Sequence, residues 1–138
     1  CQDLSLAGSR RGLNAPRSGA FWGFWNLIEA LQAEGRAPST LVLENVPGLL
    51  SSRGGRDFAR LIETIAAAGY RIGALMIDAA LFTPQSRPRL FIVAHHGRLP
   101  AGLQGLPDPI WRPPGLAAAV DALPPEARLA WVWWPLPA

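Results

Sequence analysis

Between residues 40 and 96 the chain switches hydrophobic period twice, from strand to helix and back, and that constrains the fold more than any other feature. TLVLENV (40–46) contains the unbroken β-prone run Leu41-Val42-Leu43. Residues 56–68 then place Phe58, Leu61, Ile62, Ile65 and Ala66 at helical spacing, with Gly69 as the expected C-cap. YRIGALMIDA (70–79) and RLFIVAHH (89–96) return to strand character, separated by LFTPQSRP. Upstream, GAFWGFWNLIEALQAE (19–34) spaces Phe21, Trp22, Phe24, Trp25, Leu27, Ile28 and Leu31 as a helix with a broad apolar face, stopped by Gly35 and Pro38. Helix, strand, helix, strand, strand predicts an α/β sheet with helices on its faces. The run at Leu41–Leu43 predicts a strand covered on both sides within a parallel sheet.

Outside that region the chain changes character. Residues 1–18 read as a loop punctuated by Gly8, Gly12, Asn14 and Pro16. Residues 99–138 are rich in Pro, with Trp111, Trp131, Trp133 and Trp134 scattered among them, and read as an irregular strap or connector with one short helix near 116–122. The expected division is therefore 1–98 and 99–138. Apolar residues make up 49% of the 138, enough for a packed core. No apolar run reaches the ~18 residues of a membrane helix. A chain starting at Cys, without Met, is read as missing something upstream.

Charge separates the two parts. All 13 basic residues are Arg. Eleven of them, with seven acids, fall in 1–98, a net +4 against −1 for 99–138. Guanidinium forks suit phosphates and base edges. The single cysteine excludes an internal disulfide and a cysteine-rich zinc site.

Three stretches can carry chemistry. Glu44 follows an apolar strand, and ligands of open α/β folds bind at the carboxyl ends of strands. Taken alone, it also reads as a solvated acid, and Asn45 as a turn former. In QSRPR, Arg87 lies in an extended lead-in and Arg89 enters a strand, because Pro88 is barred from a ladder interior. Gln85, Arg87 and Arg89 alternate, and so are expected on one face. Cys1 heads the polar stretch CQDLS, where Arg10, Arg11 and Arg17 can favour the thiolate. His95 and His96 are adjacent on a strand and point apart, so they cannot chelate one metal ion. Trp22 and Trp25 are expected in the core.

Together these motifs resemble the DNA (cytosine-5)-methyltransferases. CQDLSLAG is similar to the family's Pro-Cys-Gln…Ser…Gly nucleophile motif without its Pro. ENVPGLLSS carries the Glu-Asn-Val acid motif, and Gln85-Ser-Arg87-Pro-Arg89 the Gln-x-Arg-x-Arg motif. RSGAFW and GRDFARLIETIAAAGY also fit, so order and spacing agree from residue 1 to about 96.

The resemblance implies a partial Rossmann-like S-adenosylmethionine-dependent fold, the C-terminal half of its sheet, with residues 1–98 binding the target base and 99–138 leading to a recognition domain. It implies Cys1 as the nucleophile on cytosine C6, Glu44 as a donor to N3, Arg89 as a donor to O2, Arg87 as a loop brace or phosphate contact, and Asn45 as the residue orienting the acid. Residues 2–18 become a loop closing over a flipped base. Ser5, Ser9, Arg10, Arg11 and Arg17 would then meet phosphates, Gln2 would fill the gap in the duplex, and Gln85 would face DNA.

The implied cofactor is S-adenosylmethionine and the implied partner is double-stranded DNA, with no metal and no membrane. The intact enzyme is expected to be a cytoplasmic monomer, bacterial or phage-encoded, and to serve restriction–modification, regulation or a phage. No F-x-G-x-G loop follows a strand and Ala20 replaces a larger residue, so no cofactor contact is assigned and the chain alone is expected to be inactive. Two other readings compete: an amide hydrolase using Cys1 and its α-amine, which leaves ENV and QSRPR unused, and an Arg-rich nucleic-acid-binding module, which leaves the thiol unused.

Overall fold

A computed structural model describes residues 19–105 and 110–135. Helix α1 spans Gly19–Ala33, strand β1 Thr40–Asn45, helix α2 Arg56–Ala67, strand β2 Tyr70–Asp78 and strand β3 Pro88–His96. Two short helices come next, α3 at Pro114–Asp121 and α4 at Pro125–Ala130. Three 3₁₀ turns, Pro47–Leu50, Ser52–Gly55 and Ala79–Leu81, link the longer elements. The five expected elements of residues 19–96 are all present, with ends within a residue or two of those read from the periodicity.

The sheet is α/β in class but differs from the expected parallel arrangement. Its order is β1-β3-β2, and β3 runs antiparallel to both neighbours. The reason is the length of the β2–β3 connection. A parallel crossover takes a dozen or more residues, usually a helix, and residues 79–87 are too few. The β1–β2 connection carries α2, which brings β2 back parallel to β1 and leaves a gap that β3 fills.

Nor is β1 covered on both faces. Leu41 is buried, whereas Val42 is 64% exposed. Helices pack on one face of the sheet. Leu41, Ile72, Ala74, Leu90, Ile92 and Ala94 meet Phe58, Leu61, Ile62 and Ile65 of α2 there, along with Trp25 and Ile28 of α1. Leu116, Val120, Leu123, Ala127 and Trp131 from the tail join that same core.

On α1 the broad apolar face is only partly used. Trp25 and Ile28 are buried, Leu27 is 57% exposed, and Trp22 lies under the Arg60 guanidinium, 4.6 Å from its Cζ. Helix α2 ends as its sequence dictates: Gly69 takes φ 88° and donates to Ala66 O at 2.9 Å. The next residue, Tyr70, is 1% exposed, and its hydroxyl donates to Pro38 O at 2.8 Å; burial pushes its phenol above the ordinary value. Tyr70→Phe should cost about 1 kcal/mol, the net worth of one such bond, in a urea titration.

The tail closes the free edge of β2. Val132 N donates to Ile72 O at 2.7 Å, Met76 N donates to Trp111 O at 2.7 Å, and Trp131 forms a parallel bridge with Ile72. The strap also lies over the helix-free face of the sheet, where Trp134 Nε1 donates to Val93 O at 3.1 Å. Arg112 is buried beneath it, donating to Trp134 O with its Cζ 5.3 Å from the Trp133 ring. That face is thus strapped over β2 and open over β1.

Candidate active site

The register decides which side chains share the open face. Glu44 pairs with Phe91, and Asn45 with Leu90. Leu90 is wholly buried among the helices, so Phe91 and Glu44 point to the other side, as does Arg89 two residues before Phe91. Glu44 and Arg89 are diagonal neighbours there. Arg89 Nε lies 3.4 Å from Glu44 Oε1, with side-chain exposures of 26% and 54%. Arg89 Nη1 also donates to Pro88 O at 2.8 Å. Two residues 45 positions apart, each singled out from its motif, are thereby brought together.

A pair this exposed is worth little to stability, at most ~1 kcal/mol. It can be exchanged for a ligand at small cost. A carboxyl group and a guanidinium at one strand end offer an acceptor or donor next to a fork of fixed donors. That combination suits the ring edge of a heterocycle with alternating nitrogen and oxygen atoms.

Asn45 has a different setting. Its Oδ1 accepts from Val46 N at 2.9 Å, closing the turn into Pro47–Leu50, where Leu49 is fully buried. Beyond the turn, Ser52 Oγ donates to Asp57 Oδ2 at 2.5 Å, and Arg53 Nη1 lies 3.9 Å from Oδ1 of that buried carboxylate. The segment after Glu44 is therefore pinned at both ends.

Gln85 and Arg87 sit in the exposed β2–β3 loop, and Arg87 N donates to Asp78 Oδ1 at 2.6 Å. Asp78 was not singled out from the sequence, although an Asp closing a strand before Ala-Ala is a recognisable turn and cap signal. It also accepts from Ala80 N at 3.0 Å and from Ser86 Oγ at 2.7 Å. The Ala80 N–H, the Ser86 hydroxyl and the Arg87 N–H, in that order, hold its carboxyl below the ordinary aspartate value. The stabilising effect of these bonds is complete above the unfolded-state value and disappears as pH falls through the depressed one. A carbon-detected NMR titration should find the Asp78 midpoint below the ~3.9 of a free aspartate.

Cys1, Gln2, Ser5, Ser9, Arg10, Arg11 and Arg17 lie outside the described residues. Among the described residues, no group of three or more His, Asp or Glu is placed to hold a metal ion, and no helix is long and apolar enough to cross a membrane. His95 Nδ1 is 3.1 Å from Thr40 Oγ1, while His96 packs edge-on against Tyr70.

The profile of the C-5 cytosine-specific DNA methylases matches residues 1–126. The chain belongs to that family. It is 31% identical over 125 residues to the type II methyltransferase M.MthTI of Methanothermobacter thermautotrophicus, a match covering 90% of this chain and 36% of the relative. Over 95 residues it is 35% identical to the type II methyltransferase M.MspI of Moraxella sp, covering 68% of this chain and 22% of that protein. The orphan methyltransferase M.SPRI of Bacillus phage SPR is 33% identical over 94 residues, 67% of this chain and 20% of the relative. The chain thus spans little more than a third of the first of these relatives and about a fifth of the others. The family is one of transferases that act on DNA, and the matched region contains all three motifs.

Proposed function

We propose that this chain is the target-base half of a DNA (cytosine-5)-methyltransferase, and that Glu44 and Arg89 receive an extruded cytosine. The observation that carries this reading is the 3.4 Å approach of the two side chains on an open sheet face. Cytosine C5 is too weak a nucleophile to take a methyl group unaided. Addition of the Cys1 thiolate to C6 breaks the ring's conjugation and turns C5 into an enamine-type carbon.

Negative charge then moves onto N3 and O2. As the base enters, Glu44 gives up its pairing with Arg89, takes a proton from solvent and donates it in a hydrogen bond to N3. The freed Arg89 donates to O2, a fixed positive group of the oxyanion-hole type. Such chemistry is impossible within a stacked duplex, so the base must be flipped out. Arg87 and Gln85, exposed at the neighbouring loop, meet the DNA backbone, and residues 2–18 supply the closing loop.

The methyl donor of the family is S-adenosylmethionine. Two cavities, about 330 and 130 Å³, are lined by Glu63, Ala66, Pro124 and Glu126, and by Gly54, Arg56 and Ala119, and both lie along α2 rather than at Glu44 and Arg89. Neither cavity borders the proposed base site, and the share of the reaction proposed for this chain is base capture and covalent activation.

The test is to graft residues 1–126 into the M. thermautotrophicus relative in place of the matching segment, then supply duplex DNA containing 5-fluorocytosine together with S-adenosylmethionine. Fluorine at C5 cannot leave as a proton does, so the covalent complex accumulates. Mass spectrometry should place the adduct on the Cys1 sulfur. A folded chimera that binds the DNA but forms no such adduct sinks the proposal.

A further inference from the structure

Asp78 makes three hydrogen bonds to one exposed loop. The first half of the loop is closed on itself by Phe82 N, Thr83 N and Thr83 Oγ1 donating to Ala79 O, and its tie to the start of β3 runs mainly through that carboxylate. Residues 80–88 are all exposed, with Leu81 at 55% and Phe82 at 73%, so no apolar anchor fixes their course. The carboxylate spans both ends instead: Oδ1 accepts from Ala80 N and Arg87 N, and Oδ2 from Ser86 Oγ. One further backbone bond, Ala79 N to Arg87 O at 3.3 Å, closes the same ring.

The clamp sits where β3 begins. Asp78 stands opposite Pro88 in the β2–β3 ladder. Proline has no N–H, so the first ladder donor of β3 is missing where the strand must be set. Bonds from Asp78 to residues 86 and 87 replace it, immediately before Arg89 turns onto the open face beside Glu44.

We infer that Asp78 is a positioning residue: its carboxylate fixes the entry of β3 so that Arg89 presents its donors to cytosine and the Gln85–Arg87 loop presents its own to the DNA backbone. The inference rests on the function proposed above. It concerns geometry rather than charge, and that distinction makes it testable. Asn at 78 keeps an oxygen for Ala80 N and Arg87 N and can donate to Ser86 Oγ, although it is neutral. Glu keeps the charge but carries the oxygens one methylene too far.

The experiment titrates the 138-residue chain, followed by NMR at the Glu44 and Arg89 signals, with a short single-stranded oligonucleotide containing one cytosine, and with the same oligonucleotide containing thymine there. The parent chain should prefer cytosine. Asp78→Ala and Asp78→Glu should reduce that preference about tenfold, and Asp78→Asn should stay within about threefold of the parent. Far-UV dichroism checks each fold. If Asp78→Ala does not fold, Ser86→Ala decides: it removes a single bond of the clamp and should reduce the preference about threefold.

An Asp78→Ala chain that folds and discriminates as the parent does overturns the inference and leaves the proposed function standing. So does an undiminished Ser86→Ala chain. If Glu rescues and Asn does not, the role is electrostatic and the inference is wrong. A parent chain indifferent to cytosine removes the proposed function, and this inference with it.

Discussion

Gly73→Ala is expected to destabilise the fold by about 3 kcal/mol, the upper part of the range for overpacking a closed interior. A Cβ built at Gly73 would sit 2.1 Å from Val132 O, 2.7 Å from Trp134 Nε1 and 2.9 Å from Trp134 Cδ1. The nearest atom is backbone, so no rotamer change relieves the clash. Either β2 or the strap must move. The strap is the weaker partner, and lifting it breaks the Val132 N to Ile72 O bond and the Trp134 Nε1 to Val93 O bond together.

The modest benefit of replacing Gly within a strand, ~0.5–1 kcal/mol, is too small to offset this. Gly23 supplies the control: it lies within α1 and a Cβ there meets nothing within 4 Å. Gly23→Ala should therefore stabilise by about 0.5–1 kcal/mol. Urea titrations of both variants, with tryptophan emission as a second probe, separate the effects. A Gly73→Ala chain within about 0.5 kcal/mol of the parent (a margin set by ordinary surface substitutions) and with unchanged emission would show that the strap is not seated on β2.

The strap also marks a limit of what the sequence discloses. Helices α1 and α2 are legible because apolar side chains recur at i, i+3 and i+4, and Gly69 ends α2 in a backbone region where glycine alone adopts its φ of 88° with ease. Helix α4 is hidden by the Pro-Pro pair at 124–125, which reads as irregular chain. Pro is nevertheless favoured in the first helical turn, and Pro125 is the first residue of α4. Tryptophans of the tail carry no period, so nothing local announces that Trp131 completes the core while Trp134 crosses the opposite face.

Strand direction is misleading for a different reason. A run such as Leu41-Val42-Leu43 signals burial on both faces, yet Val42 lies on the open face. The number of residues between β2 and β3 is the better guide, and it gives the antiparallel answer. At the site, each motif identifies its own residue, but their meeting is a long-range property. It requires the pairing of Glu44 with Phe91, and sequence spacing does not specify that register. Asp78 escapes notice because an acid at a strand end is ordinary until its three partners are placed around it.

Arg89→Ala should slow covalent capture of 5-fluorocytosine DNA by about 10²–10³-fold in the grafted protein, the loss seen when one donor to a developing oxyanion is removed. Stability should hardly change, because the Glu44–Arg89 pair is too exposed to contribute more than ~1 kcal/mol. This split between rate and stability distinguishes a donor to the reacting ring from a residue that merely tethers two strands. Lysine at 89 should recover only a minor part of the rate, since an ammonium is a point charge without the planar fork that can hold Glu44 and a ring oxygen in turn.

Glu44→Gln gives the complementary result. Its amide can still donate to N3, so binding of cytosine should survive, but it has no proton to share as charge reaches that nitrogen, and capture should slow. If the two side chains act on one electron shift, the double variant will lose far less than the product of the single losses, as groups that work as a unit do. Independent, multiplicative losses would mean that the carboxyl and the guanidinium serve different steps, and the shared-ring geometry would have to be abandoned.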